Sequence, residues 1–523
     1  MKFGLDFGTT RIVVAAVDRG NYPLVNFDAP DGRVRDWFPP LIAIQNDKRL
    51  YGWEAWQVQG QPGWTAVRSL KRLLREAGPE TRVEIGGQSF EIRQLMRELM
   101  EALRDQLREH SSLPESKIGP MEVMLGVPAN ANSNQRFLTT EAAREAGFEV
   151  LGLLNEPSAA GVEFAHRNRN QKSRSDGWLM VYDLGGGTFD ASLIELGDDS
   201  HSIVASDGVP TVGGDDFDET LAGFALTAAG MSADSLSAAE WFTLLEECRE
   251  KKEALTPNTR KITIDMGRVR SDWDDISVAT AAFYEECRPL IESTRDVVEK
   301  LLVEHPERPI DALYVTGGGS ELPPVARILR EEFGKRVCRS AYMRSATAIG
   351  LAIRADAHSG FVLRDQFMRN FGLWRETEGG HSITFDLVFP RGTALPAPKQ
   401  PALRSVRSYQ PAHNVGHFRY LECARVASDG HPIGEITDWD EIRFPFDPAL
   451  QDRNDLSSVP VVRTPAMKSL VIEETYTCDS SGNLAVAISN KSTGYAKTFR
   501  LGRWSTKQVK VSPSRSRAHR ASK

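Results

Sequence analysis

Three consecutive glycines interrupt the stretch "VYDLGGGTFDASL", Val181 to Leu193, between an apolar run ending at Asp183 and a second run starting at Phe189. Glycine loses more backbone entropy on folding than any other residue and packs nothing, so strand interiors disfavour it. The three glycines therefore mark a turn between two strands. The same device stands near the N-terminus in "GLDFGTTRIVV": strand, Asp6, one apolar residue, Gly8, Thr9, Thr10, strand. Both read as hairpins whose turns lack side-chain bulk, so that backbone N–H groups can face outward and approach an anion closely. Each follows an aspartate at a strand end, placed to order the water around a Mg²⁺ ion that neutralises a polyphosphate. A hydroxyl in each turn, with Thr188 in the second, adds a phosphate ligand. One copy alone is as readily an ordinary tight turn. Two matched copies predict a duplicated domain whose halves grip one nucleotide from opposite sides.

The chain has 523 residues, too many for one comfortable core, so two or more domains are expected. Residues 1–356 alternate short Val/Ile/Leu-rich runs ("KFGLDF", "RIVVAAV", "EVMLGV", "WLMVYDL") with helical periods such as "RQLMRELMEALRDQLREH", an α/β pattern. A linker is read over 357–370. Across 371–504 helical periods vanish, and alternating segments ("SITFDLVF", "HFRYLECARV", "NLAVAIS") between Pro, Gly and Asn turns predict an all-β sandwich. Residues 505–523 are basic, carry no acid and have little to bury, which predicts a disordered tail. The net charge of −7 argues against a global nucleic-acid footprint. Asp6 interrupts any signal-peptide core, and no run approaches the ~20 apolar residues of a membrane helix. The 5 cysteines are scattered without metal-ligand spacing, pointing to a reduced, cytoplasmic setting without structural zinc.

The motifs "GLDFGTT", "SLKRLL", "VMLGVPA", "LLNEPSAAG", "YDLGGGTFD", "VGGDDFD" and "VTGGGSELP" follow one another in an order and spacing that resemble the seventy-kilodalton heat-shock (Hsp70) chaperone family, within the actin, sugar-kinase and heat-shock ATPase superfamily. The resemblance spans residues 1 to about 355 and extends weakly into the β region through "FPRGTALPA" and "SSGNLAVAISNKSTG". It implies a duplicated actin-like ATPase domain with ribonuclease H-like halves, then a polypeptide-binding sandwich. The implied ligands are ATP or ADP with Mg²⁺, K⁺ being a further candidate ion. The implied partners are unfolded or apolar polypeptide segments and cochaperones, with neither nucleic acid nor membrane.

Lys71 falls amid an apolar stripe formed with Val67, Leu70 and Leu74 if the segment is helical. By composition a snorkelling lysine is the plainer reading; the resemblance makes it the cation at the γ-phosphate and attacking water. Glu156, before Pro157, suits the first turn of a helix after a strand, where capping is the bland alternative. The resemblance groups Lys71, Glu156, Asp183 and Thr188 as catalytic. It gives Asp6 and Asp183 to Mg²⁺ through water. It gives Gly8, Thr9, Thr10, Gly185, Gly186, Gly187, Asp190, Gly213 and Gly214 to the phosphates, and Gly317, Gly318 and Gly319 to the nucleoside. Pro128 and Arg136 match positions that pass nucleotide state to the peptide domain.

The nucleoside side departs from the family. Arg249, Lys252, Glu253 and Thr256 stand where an acid, a lysine, a basic or apolar residue and a serine are usual. Glu321 replaces an arginine, Arg344 an acid, and Arg11 an aromatic or polar residue. An i,i+4 pair between Arg249 and Glu253 is open to such a helix. A carboxylate cannot stack on a base as a guanidinium does, so adenine preference is the weakest part of the match. Few residues follow Trp504 to form a helical lid. Two functions compete: an ATP-dependent chaperone, and a nucleotide-gated scaffold that docks one dedicated protein partner with little turnover.

Overall fold

In the computed structural model the two predicted hairpins belong to two separate sheets. The model describes residues 1–523 except 69, 76, 79, 115–118, 130, 170–176, 198–199, 307–308, 365, 368, 378–381, 397–399, 454, 481, 502–507 and 511–523. In the first half, β1 (Lys2–Phe7) and β2 (Ile12–Ala16) pair antiparallel from Phe3↔Ala16 to Phe7↔Ile12. β3 (Glu122–Val127) adds in parallel to β1, and β4 (Glu149–Asn155) to β3, giving the order β4-β3-β1-β2. In the second half, β5 (Gly177–Leu184) and β6 (Phe189–Leu196) make the hairpin, extended antiparallel by β7 (Ser200–Val209). β8 (Ala312–Thr316) and β9 (Val337–Arg339) add in parallel beyond β5. β10 (Val362–Arg364), from the expected linker, pairs in parallel with β7, so the order is β9-β8-β5-β6-β7-β10. Parallel neighbours need crossover connections, and the long helices between strands supply them. β2 and β8 are buried at every position, which is why their sequences read as unbroken apolar runs.

Five helices shape the crevice between the halves: α1 (Leu70–Leu73), α2 (Glu156–Asn168), α3 (Gly214–Ala228), α4 (Ala238–Glu253) and α5 (Ala346–Ala355). α2 follows the first sheet yet packs on β5 and β6, while α5 follows the second yet packs on β1, β2 and β3. The two helices cross in contact, and Gly350 permits it: a Cβ there would lie 1.8 Å from the Ala159 carbonyl oxygen. This exchange binds the halves at their base and leaves the hairpin ends facing each other above it.

The C-terminal region is a sandwich of two antiparallel sheets. One is ordered β12-β11-β14-β15, from β11 (Asn370–Thr377), β12 (Ser382–Phe389), β14 (Val415–Val426) and β15 (Pro432–Pro445). The other is β13-β16-β17-β18, from β13 (Leu403–Tyr409), β16 (Ile472–Cys478), β17 (Leu484–Asn490) and β18 (Ala496–Leu501). Phe371, Tyr420, Phe444, Ile472, Tyr476 and Val486 fill its core. A charged cluster lies among them: Arg375 donates to Glu474 at 3.1 and 2.5 Å and to Asp386 at 2.5 Å, with Glu474 fully buried. Two duplicated α/β halves followed by a β-sandwich are the architecture that the resemblance implies.

Two local expectations fail. Val67 ends a strand (Thr65–Val67) rather than sharing a helix with Lys71, and α1 is one turn long. In the tail, Gln508–Lys510 form a strand parallel to Arg82–Ile85, with Val509 opposite Val83, so this stretch gains backbone partners that composition does not reveal. Residues 505–507 and 511–523 lie outside the described residues.

Candidate functional site

The hairpin turns touch across the gap between the halves. A Cβ on Gly186 would fall 2.6 Å from Thr10 Oγ1, and one on Gly187 2.6 Å from Thr9 Cγ2. The glycines thus make room for the opposite hairpin. Backbone bonds lock the loop before α3 onto the second turn: Gly214 N donates to Gly185 O at 3.0 Å and Asp215 N to Gly186 O at 2.7 Å. Gly317 has a left-handed φ of +85°, and a Cβ there would meet the Leu184 carbonyl oxygen at 2.2 Å. Between these loops lies a cavity of about 110 Å³. Its wall brings together Asp6, Gly8, Thr9, Thr10, Lys71, Glu156, Asp183, Gly185, Gly186, Thr188, Asp190 and Gly214 at one end. At the other stand Gly317–Gly319, Arg249, Lys252 and Glu253. Gly187 and Gly213 are not among its lining residues and pack on each other beside it: a Cβ on Gly213 would lie 2.5 Å from Gly187 N.

Lys71 is buried, not snorkelling, and its Nζ donates to Glu156 Oε1 at 2.5 Å. Glu156 opens α2 directly after β4, with Pro157 in the first turn, so the strand end aims its carboxylate into the crevice. Asp6 and Asp183 sit at the ends of β1 and β5. Asp190, on β6, accepts from the Ala129 backbone N–H at 3.2 Å and from the Thr188 hydroxyl. Burial, then the charge of Glu156, pushes Asp6 and Asp190 up to about 7, and Asp183 well above the ordinary carboxylate value. Burial pulls Lys71 down, but Glu156 and Asp6 outweigh it and hold the ammonium above its usual value. Four carboxylates face one ammonium, and the buried Asp6 Oδ1 has no hydrogen-bond partner among the described residues. A divalent cation supplies the positive charge this cluster lacks, so the residues fit Mg²⁺. Among the described residues no three carboxylate, His or Cys side chains are placed to ligate one metal ion directly.

At the nucleoside end the expected Arg249–Glu253 pair is absent. Arg249 instead pairs with Glu246 at 2.5 Å and lies over Trp56, 5.3 Å from the ring centre. Glu253 accepts from Arg11 Nη2 through both oxygens, at 2.8 and 2.7 Å, and from Arg344 Nη1 at 3.0 Å. Burial pushes its carboxyl up, but Arg11 and Arg344 prevail and hold it at about 2. Arg344 also pairs with Glu321, so the two departures from the family answer each other. Thr256 is exposed beyond the end of α4 and bonds Thr259, outside the cavity wall; the helix ends before reaching it. Lys252 does face inward, donating to Gly214 O at 2.6 Å and pairing with Asp218 at 2.7 Å.

Sequence reasoning missed Arg72, which donates to Gly187 O at 3.1 and 2.8 Å and to Asp216 at 2.9 Å, fastening α1 to the second turn. Its position beside Lys71 in "SLKRLL" is the only signal it gives. Pro128 lines a neighbouring cavity of about 160 Å³ with Lys71, Thr188 and Asp190. Arg136 is buried and donates to Asn155 Oδ1 at 2.7 Å, the residue before Glu156. The second nitrogen of the same guanidinium lies near the sandwich: a Cβ on Gly482 would stand 3.6 Å from Arg136 Nη1.

Comparison with known proteins identifies the family. The family model described as "Hsp70 protein" matches residues 75–426. A "Chaperone protein HscA homolog" of Pseudomonas paraeruginosa (strain DSM 24068 / PA7) is 32% identical over 437 residues, covering 79% of this chain and 67% of that protein. Its namesake in Pseudomonas aeruginosa (strain LESB58) is 31% identical over 439 residues, with the same coverage. Members of the matched family are ATP-binding chaperones and ATPases. Among the described residues no helix is long and apolar enough to cross a membrane. The chain belongs to the Hsp70 family.

Proposed function

We propose that this chain is an ATP-hydrolysing chaperone in which Mg-ATP in the crevice controls polypeptide binding by the C-terminal sandwich. The observation that carries the reading is the Lys71–Glu156 pair, buried where two touching glycine hairpins bring Asp6, Asp183 and Asp190 together. The turn N–H groups of Gly8–Thr10, Gly186 and Gly187, with the Thr9 and Thr10 hydroxyls, bind phosphate oxygens, while Gly185 N–H closes its own turn on Thr188 O at 2.9 Å. Asp6 and Asp183 hold Mg²⁺ through its water, and the ion, when bound, neutralises phosphate charge. Lys71 directs its ammonium at the transferred phosphoryl group and, with Glu156, orients the attacking water; Asp190 fixes Thr188. No covalent intermediate is required, since positioning and charge neutralisation carry the chemistry.

The cavity of about 110 Å³ is smaller than the ~300 Å³ a nucleotide-sized ligand needs. Entry therefore requires the halves to part, and the Arg11–Glu253 pair is the contact across the mouth that opens. Arg136 bonds the residue preceding Glu156 and lies beside Gly482 of the sandwich, which supports a coupling role between crevice and sandwich. The partners are apolar polypeptide segments and cochaperones, in a cytoplasmic setting, with K⁺ as a second ion. A second reading, a nucleotide-gated scaffold for one dedicated partner with little turnover, draws on the same Arg11–Glu253 bridge, which favours the closed crevice. Single-turnover hydrolysis of Mg-ATP, with and without apolar peptides, separates the two. Turnover accelerated by peptide supports the chaperone; bound ATP that persists and ignores peptide supports the scaffold.

A further inference from the structure

A second cavity lies between the halves, and it shares Asp215 and Asp218 of α3 with the crevice described above. Its volume is about 580 Å³, the size of a small-ligand or side-chain site. The first half contributes Trp64, Leu73 and Ile85 to its wall, and the second Trp241, Phe242 and Leu245. The polar part of the wall is acidic: among the described residues Glu84, Asp215, Asp218 and Glu219 stand against Arg68 and Arg72. Both arginines already pair with carboxylates outside the cavity, Arg68 with Glu246 at 3.0 Å and Arg72 with Asp216 at 2.9 Å. Arg68 also stands 3.9 Å from Asp215, and Asp218 pairs with Lys252 at 2.7 Å. Aromatic faces beside carboxylates are the surroundings in which a guanidinium stacks and bonds at once. The rings here already receive cations: Arg68 lies 5.4 Å from the centre of Phe242, and Lys48 5.7 Å from that of Trp64. Two buried polar atoms of the wall, Trp241 Nε1 and Asp218 Oδ2, have no hydrogen-bond partner among the described residues.

The chain brings arginines of its own to this wall. Gln508–Lys510 pair in parallel with Arg82–Ile85, and the register sets residue 510 opposite Glu84. Ile85, Gly86 and Gly87, next along the same direction, line the cavity. Residues 511–523, "VSPSRSRAHRASK", carry Arg515, Arg517, Arg520 and Lys523 and no acid. Extended, they span about 40 Å, enough to cross from one half to the other. We propose that this cavity binds the arginine side chains of a peptide, and that its occupant is the protein's own segment 511–523, docked across both halves. No hairpin residue lines the cavity, so the docking stands apart from the nucleotide reading. Its consequence rests on that reading: a segment held by Trp64 on one side and by Phe242 and Glu219 on the other resists the parting of the halves and slows nucleotide release.

The test uses the full chain, its R515A/R517A/R520A variant and a fluorescent peptide of residues 511–523. By anisotropy the peptide binds the triple variant one to one and the unaltered chain at least about tenfold more weakly, because a tethered segment competes at an effective concentration of about a millimolar. Adding E219K or W64A to the triple variant weakens the peptide about fivefold or more, and Mg-ADP affinity within about twofold shows that these chains are folded. A peptide with lysine at each arginine binds about fivefold more weakly, since an ammonium keeps the charge and loses the plane. Fluorescent Mg-ADP leaves the triple variant about tenfold faster than the unaltered chain, measured by stopped flow. The docking is overturned by equal peptide binding to the unaltered chain and the triple variant, or by binding that E219K and W64A leave unchanged. Dimerisation of the unaltered chain that the triple variant abolishes also overturns it, because the segment then sits on a second copy. Equal Mg-ADP release from the two chains overturns the consequence. A chain that binds the peptide but no Mg-ADP supports the docking and removes the nucleotide reading, whereas one that binds Mg-ADP but no peptide does the reverse.

Discussion

The two ends of the crevice are built by different rules. At the phosphate end, backbone is shaped around backbone: Gly186, Gly187 and Gly213 stand where any side chain would strike the facing turn or a neighbouring backbone atom. At the nucleoside end, side chains alternate in sign along Arg11–Glu253–Arg344–Glu321, and the contacts of that chain are ion pairs. A turn made by close approach tolerates only glycine, so its position in the chain is fixed. An ion pair needs only opposite signs at a given distance, so its members can change places while the contact survives. Glu321 and Arg344 stand in that exchanged order relative to the family.

The largest effect that sharpens this contrast belongs to Lys71, the buried cation that pairs with Glu156. Lys71→Ala lowers the single-turnover hydrolysis rate about 10²- to 10³-fold, measured by rapid quench, while Mg-ATP affinity stays within about tenfold. Unchanged hydrolysis removes Lys71 from the mechanism. The exchangeable pair gives a smaller, reversible effect. Glu321→Arg sets two guanidiniums together and costs about 1–2 kcal/mol of stability by thermal unfolding, a modest figure because both side chains are partly exposed. The E321R/R344E double variant recovers most of that loss; strictly additive losses would break the comparison.

The smallest effect lies farther off, where the linker docks. Phe361 sits between His166 and His201, at 5.4 and 5.6 Å between ring centres, and Tyr22 and Arg169 also face His166. Burial, joined at His166 by the Arg169 charge, holds both imidazoles below their ordinary value. A lowered folded pKa means that the released linker binds more protons than the docked one. The stabilisation is therefore complete above the unperturbed value of about 6.5 and is lost as pH falls below it. Limited proteolysis at 357–365 is expected to be faster at about pH 5.5 than at about pH 7.5, and this difference shrinks in His201→Asn. Equal cleavage at both pH values contradicts the assignment.

The same contrast explains what the sequence makes legible. The hairpins were readable because glycine, aspartate and threonine at fixed spacing have few structural alternatives. Glu156 was readable because a strand end followed by Pro157 places it in a first turn. Lys71 was not readable by periodicity: the local pattern suggests a helix from Val67, whereas a strand runs to Val67 and only one helical turn follows. Arg11 was invisible as a bridge because its partner lies 242 residues away, and no local pattern encodes a contact at that separation. The Arg375–Glu474 pair inside the sandwich is similar, since 99 residues separate two charges that alternation alone would place outside.

The most direct test of the central claim, that the two hairpins close on one Mg-triphosphate, is calorimetric titration of Mg-ATP into the unaltered chain and into Gly186→Val. The branched side chain cannot fit where Thr10 Oγ1 would stand 2.6 Å from its Cβ, so the hairpins are forced apart. The account predicts one Mg-ATP per chain for the unaltered protein and affinity weakened about 10- to 100-fold in the variant, with the unfolding of the sandwich unchanged. Equal affinity in the two proteins would contradict it.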